Sequence, residues 1–267
     1  MKSTQRTTKR YIIFGILSGM VVLIGLLYLG GFRFSGGTLA SPGEVIFEVE
    51  STDKNIAVFL DGVERQIAVN DGSIVIERLS PGEHTFILSK DGYWPWQKIF
   101  DVKSGERIVA APFFITQNVS GVAITQADPE YFKLRELSST RSIPSTARKL
   151  SSNDESVSVW FEGTTLMAQF NADETQAPQY FCTEEKCKEP ITVLSFGGPV
   201  RNIVFYKDRN DLVVVAVDDL IAALELDSRG TRNFQPIYKG KSPTFSLSAG
   251  GTLIVTDDAA LMEIPLP

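Results

Sequence analysis

The stretch LSPGEHTFILSKDGYWPW, residues 79–96, holds a turn, an alternating strand and three closely spaced aromatic residues. Pro81-Gly82 and Asp91-Gly92 are turn pairs. Between them HTFILSK alternates, with Phe86 and Leu88 on one face together with His84. The same alternation runs outward into EVIFEVES, NIAVFLDGV, SIVIERL and WQKIFDV, giving five strand candidates from Val45 onward. In NIAVFLDG, Ile56, Val58 and Leu60 share a face. Asp61-Gly62 and Asn70-Asp71-Gly72 supply further turns. Short strands joined by tight turns predict an antiparallel sheet that folds into a small β-sandwich.

This order of strands and turns resembles the PEGA domain, a small β-sandwich module of extracytoplasmic and surface-layer proteins. The family pattern runs from an apolar residue through Pro-Gly and a strand to a Lys-x-Gly-Tyr ending. Leu79, Pro81, Gly82, Lys90, Gly92 and Tyr93 occupy those positions. The resemblance spans residues 45–110, about a quarter of the chain. One departure is DGVERQIAVNDGS, which lacks the family's proline-bearing turn. The resemblance implies a binding or spacing module without catalysis, and it makes Tyr93 a structural residue packed under the preceding turn.

Ahead of this module, YIIFGILSGMVVLIGLLYLG carries no charge over residues 11–30. An apolar run of about twenty residues matches a helix that crosses about 30 Å of hydrocarbon. A signal peptide is the competing reading, with small residues at Thr38-Leu39-Ala40, but signal cores are shorter and the cut would fall far downstream. The reading adopted is an uncleaved anchor. Lys2, Arg6, Lys9 and Arg10 precede it and Arg33 follows, which places the N-terminus in the cytoplasm and the rest outside. Gly15 and Gly19 form a G-x-x-x-G, a weak dimerisation signal. FSGGTLASPG after the helix reads as a flexible spacer.

The five basic residues among the first 33 face no acid there, so the remainder carries 21 basic residues against 32 acidic ones, a net charge of −11. Such a surface repels phosphate and argues against nucleic acid.

Beyond the module, QADPEYFKLRELSSTRS predicts a short helix. Asp128 is placed to cap it, Pro129 to take its first position, and Tyr131, Phe132, Leu134 and Leu137 recur at helical spacing. A Ser/Thr-rich linker follows. From Val157 ten further strand candidates appear, and two portions repeat a strand, turn, apolar strand, acidic turn, strand order. This resembles consecutive blades of a β-propeller. At about 40–45 residues per blade, residues 157–267 hold two to three, too few for a ring of the usual size. A plain sandwich fits the strand count as well.

Cys182 and Cys187 suit a disulfide across a loop tip, which an extracytoplasmic setting favours, or two free thiols. A zinc site lacks the remaining ligands. The single histidine, His84, has no nucleophile near it in sequence. Asp218-Asp219 and Asp257-Asp258 fall at predicted turns without the spacing of a calcium loop. Hydrolase, zinc-protease and phosphate-loop motifs are absent. The residues with most to offer are Tyr93, Trp94 and Trp96. Alternation puts Trp94 and Trp96 on one face, as core filler or as a platform for a sugar ring or an apolar partner.

These readings combine into an all-β ectodomain behind one N-terminal transmembrane helix. The ectodomain is a small antiparallel β-sandwich followed by a β-propeller-like or sandwich β-domain. The expected segments are a cytoplasmic tail (1–10), the helix (11–30), a spacer (31–44), the PEGA-like sandwich (45–115), a short helix and linker (116–156) and the second β-domain (157–267). The expected role is a non-enzymatic cell-envelope interaction or spacing protein, with glycan binding through Trp94 and Trp96 as the alternative. No cofactor or metal is expected. The expected partners are the membrane and an envelope protein or glycan, with homo-oligomerisation left open.

Overall fold

The computed structural model describes residues 4–35, 38–49, 55–139, 143–182, 186–248 and 251–266, and the side chains of the first helix from Gly15 onward. The described part is mostly β, with two α-helices. It divides into two compact units, one formed by Met1–Asp53, Ile67–His84 and Phe100–Ala111, the other by Lys54–Gln66, Thr85–Ile99 and Pro112–Pro267.

The first unit opens with α1 (Thr4–Leu29) and a hairpin of β1 (Arg33–Ser35) and β2 (Thr38–Ala40). Among the described residues no helix is long and apolar enough to cross a membrane. The side chains described in α1, Gly15 to Leu29, cover about 22 Å at 1.5 Å per residue. The expected spacer is therefore structured at its start, where residues 33–35 and 38–40 pair. Next comes β3 (Gly43–Glu48), followed by β4 (Ala57–Leu60), β5 (Val63–Arg65), β6 (Ser73–Leu79), β7 (Gly82–Ser89), β8 (Trp96–Val102) and β9 (Arg107–Ala110). A three-stranded sheet runs β6-β3-β9. Its β3–β9 pair is parallel, Val45 opposite Ile108, a departure from the antiparallel sheet expected. The expectation rested on tight turns, which join only sequence neighbours, while β9 returns to β3 from far along the chain. Val45, Phe47, Ile74 and Ile76 are buried.

A second sheet runs β5-β4-β7-β8. Its inward residues follow the alternation, with Val58 and Leu60 on β4, Phe86 and Leu88 on β7, and Trp96, Lys98, Phe100 and Val102 on β8 buried.

The second unit continues with β10 (Val122–Ala123), α2 (Tyr131–Ser139), β11 (Leu150–Ser151), β12 (Val157–Glu162), β13 (Thr165–Phe170) and β14 (Ile191–Ser195). It ends with β15 (Val200–Phe205), β16 (Leu212–Val217), β17 (Leu220–Glu225), β18 (Phe234–Lys239), β19 (Thr244–Leu247), β20 (Thr252–Asp257) and β21 (Ala260–Pro265). These form three four-stranded antiparallel sheets, β11-β12-β13-β14, β15-β16-β17-β18 and β10-β21-β20-β19. All ten strands expected after Val157 form. The first and third sheets each draw one further strand from the segment expected to be helix and linker.

Two-residue hairpins recur with a left-handed first residue: Asp61, Gly163, Asp218 and Asp258 all have φ between 50° and 64°. Aspartate and glycine tolerate that conformation, which matches the right-handed twist of the flanking strands. Asp218-Asp219 thus forms a turn, whereas of the second pair only Asp258 enters the turn and Asp257 ends β20. β16 is buried along its whole length, and Val213, Val215 and Val217 join the core that holds Val157, Val159, Leu166 and Phe170 of the first sheet. In the third sheet Ile254 and Leu261 pack with Tyr131 and, partly, Leu134 of α2. Helix α2 begins at Tyr131 and not at Pro129, because the Asp128 carboxylate turns back to accept from Thr125 N (2.7 Å) and Oγ1 (2.9 Å). Phe132 and Leu137 lie off its packed face and are exposed.

Candidate functional site

The candidate site grows from the turn at Asp91-Gly92, where Gly92 takes φ 81°. After it the chain pairs with residues 115–117: Trp94 N donates to Ile115 O (2.8 Å) and Gln117 N donates to Gly92 O (2.8 Å). Pro95 then separates the two indoles. Trp96 starts β8 and is completely buried, whereas Trp94 is half-buried. The shared Trp94–Trp96 platform is thereby corrected: Trp96 is core. Alternation gave the two residues one parity, but β8 begins only at Trp96, and Trp94 belongs to the segment paired with residues 115–117.

Trp94 instead lines a groove of about 360 Å³ with Gln117, Leu220, Phe234, Pro236, Ile237, Tyr238 and Lys239. Four of these are consecutive along β18, the last strand of its sheet. Three aromatic rings, from Trp94, Phe234 and Tyr238, face an amide and an ammonium. Gln117 Nε2 donates to Tyr93 O (3.1 Å), and Lys239 pairs loosely with Asp219 (3.4 Å) where both are exposed. Tyr238 Oη donates to Asp257 Oδ2 (3.1 Å). Burial and that carboxylate hold its phenol above the usual tyrosine range. The lining suits stacking and apolar contact with hydrogen bonding at one end.

A buried polar cluster that sequence reasoning missed joins β8 to β17 and β18. Lys98, fully buried, donates to Glu225 Oε2 (3.0 Å) and Asp227 O (2.6 Å). Asp227 also pairs with Arg229 (2.7 Å). The Asn233 side chain pairs with the backbone of Gln97 as a neighbouring strand would, accepting from its N (2.9 Å) and donating to its O (3.0 Å). Gln235 repeats this one step on, accepting from Ile115 N (2.8 Å) and donating to Phe113 O (3.3 Å). Burial pushes the Glu225 carboxyl up to about 7 against the pull of Lys98, with Asp227 adding to the rise. The Tyr180 hydroxyl is buried without a hydrogen-bond partner among the described residues. Burial, and then the charges of Asp211, Asp227 and Glu225, drive it far above the usual tyrosine range. One signal was present in the sequence: Lys98 shares the inward parity of Trp96 and Phe100, and a charge at such a position requires a buried partner.

The remaining expected residues are dispersed. Gly82 takes φ 131° in its turn. Lys90 Nζ lies 4.2 Å from the centre of the Tyr93 ring, which meets Phe114 edge-on at 6.4 Å. Pro81 precedes β7 and does not line the Trp94 groove. Cys182 and Cys187 are bonded to each other (S–S 2.07 Å). His84 Nε2 lies 2.7 Å from Ser80 O, a hydrogen bond that fixes the turn before β7. Among the described residues no group of three or more metal-ligating side chains gathers. No protein-family model matches this chain, and no curated protein sequence matches it.

Proposed function

We propose that this chain is a membrane-anchored, extracytoplasmic, non-enzymatic interaction protein of the cell envelope. In this reading α1 is the anchor, the PEGA-like sandwich the spacer, and the propeller-like sheets present the Trp94 groove to a partner. The observation that carries it is the groove: half-buried Trp94 beside Phe234 and Tyr238, along the outermost strand of a sheet. Edge strands with adjoining apolar faces are where extended partner segments add.

Support for the anchor comes from the charge-free residues 11–30 and from the apolar side chains of α1, exposed from Ile16 to Leu29. A helix apolar on all sides calls for a lipid or protein environment. The bonded cysteine pair suits an oxidising compartment.

A glycan is the second reading, favoured by the Gln117 amide and Lys239 ammonium beside the Trp94 ring. Burial of Trp96 leaves it one indole to stack on. The test is co-sedimentation of the detergent-solubilised full chain with isolated cell-wall material, before and after protease treatment of the wall. Protease-sensitive binding that Trp94→Ala weakens by about 2 kcal/mol, the scale of an interface hot spot, supports a protein partner. Protease-resistant binding with the same loss supports the glycan. Binding that Trp94→Ala leaves unchanged removes the groove from the function.

A further inference from the structure

The segment expected to be a flexible spacer is bolted down at every described step. Helix α1 ends in a Schellman cap. Gly31 takes φ 86°, its N donates to Tyr28 O (3.2 Å), and Phe32 N donates to Leu27 O (3.1 Å). The Arg33 guanidinium stacks 3.7 Å from the centre of the Tyr28 ring and donates to Tyr28 O (3.0 Å) and Phe32 O (3.1 Å). These bonds fix the direction in which the chain leaves the helix.

The capped end is then pressed against the strand irregularity at Arg78, near the end of β6. A Cβ built on Gly31 would lie 2.5 Å from Arg78 O and 3.0 Å from Pro42 Cβ, so only glycine fits. Arg78 itself is held at φ 61°. The exit of the hairpin is closed as well. Ser41 N donates to Ser104 Oγ (2.8 Å), Gly105 N donates to Ser41 O (3.1 Å), and a Cβ on Gly43 would meet Val102 Cγ1 at 2.4 Å. The described residues of this segment, held at Gly31, along β1–β2, at Ser41 and at Gly43, keep none of the freedom of a Gly/Ser linker.

We propose that this joint holds the first β-unit in a fixed pose on its anchor, flat against the bilayer, with Tyr28, Arg33, Leu39 and Arg78 forming a collar that contacts lipid headgroups. The inference rests on the reading of α1 as a membrane anchor. The partner is a phospholipid surface because the collar starts within the exposed apolar helix, at Tyr28, and Arg33 stacks on that ring. Tyr28 and Leu39 are exposed, and two guanidinium-bearing residues accompany them. Aromatic rings and arginines are the side chains that reside at the interface between hydrocarbon and water. The domain is thereby presented at one orientation and one height, which a flexible tether does not provide.

The test is a depth measurement on the full chain in vesicles of phosphatidylcholine and phosphatidylglycerol. A single nitroxide is placed at Leu39→Cys, at Arg78→Cys or, as the anchor control, at Leu23→Cys. The native cysteines are bonded to each other and do not take the label. Collision with oxygen against a water-soluble nickel chelate reports depth. The expected result is headgroup depth at positions 39 and 78 and bilayer-core depth at position 23. Adding Gly31→Ala should shift positions 39 and 78 toward water and leave position 23 in the core. Water-like values at 39 and 78 with a core value at 23 overturn the collar and leave the anchor standing. A water-like value at 23 overturns both. Headgroup values at 39 and 78 that persist with Gly31→Ala overturn the joint as their cause.

Discussion

At Gly31 the N-terminal helix meets the Arg78 backbone of β6 through bare backbone, with no charge buried in the contact. At Lys98 strand β8 meets β17 and β18 through buried ions and side-chain amides. The first junction tolerates no added atom. The second tolerates no lost partner, because a charge left alone in a dry interior costs several kcal/mol. One junction is specified by the absence of a side chain and the other by a complete set of them.

The sharpest way to break that contrast is Lys98→Met. It leaves Glu225 without its cation, while Asp227 keeps Arg229, and is expected to cost about 3–5 kcal/mol in chemical denaturation. Adding Glu225→Leu should restore a large part of the loss, since matched apolar replacements of buried pairs are often neutral. Recovery by the double variant shows that pairing, and not the lysine itself, holds the junction.

Reduction of the Cys182–Cys187 bond, which belongs to neither junction, should lower stability by about 2 kcal/mol, the entropy of so short a loop. Denaturation with and without reductant checks this. Asn233→Ala removes the amide that imitates a strand and exposes the Gln97 backbone groups to an unfilled space. A loss of about 1–3 kcal/mol is expected, together with faster hydrogen exchange at Gln97.

Two pH effects are smaller. The Glu225 carboxyl has its pKa raised by burial from 4.5 to about 7 in the folded chain. Its contribution is therefore fully present below about pH 4.5 and is lost as pH rises through 7. Glu225→Gln should flatten that part of a melting-temperature profile. Asp154 runs the other way. Desolvation is the largest single influence and raises its pKa, but the hydrogen bonds from Ser152, Ser156 and Asn210 together outweigh it and lower the pKa to about 2. Its contribution is present above pH 3.8 and lost as pH falls toward 2. Asp154→Asn should remove the acid-side dependence alone.

The two junctions also differ in how far the sequence reveals them. The ten strands after Val157 and the five in the first β-region were legible, because each carries an alternation or a short apolar run bounded by turn residues. Helix α2 was legible within two residues, and its start was misplaced because Asp128 found Thr125 nearer than the helix amides. The short strands β5, β9, β10 and β11 were not legible. Each is too brief to show a period and exists only where a longer strand offers it an edge.

The candidate site was half legible. Trp94 was singled out for its chemistry, and Trp96 was paired with it by a parity that Pro95 and the start of β8 annul. Phe234, Tyr238 and Lys239 lie some 140 residues away along the chain, and nothing local ties them to Trp94. The spacer was misread for the same reason. Gly31 and Gly43 look flexible by composition, while their lack of a side chain is what lets Arg78 and Val102 close on them.

By itself the sequence determined the β character, the strand positions, the left-handed turn residues and the charge-free helix, since these depend on neighbours within a few residues. Only the tertiary structure decided which indole is core, what faces Lys98, and that the Gly-rich segment after the helix is held. Each of those depends on contacts between residues far apart in the chain, where local periodicity carries no information.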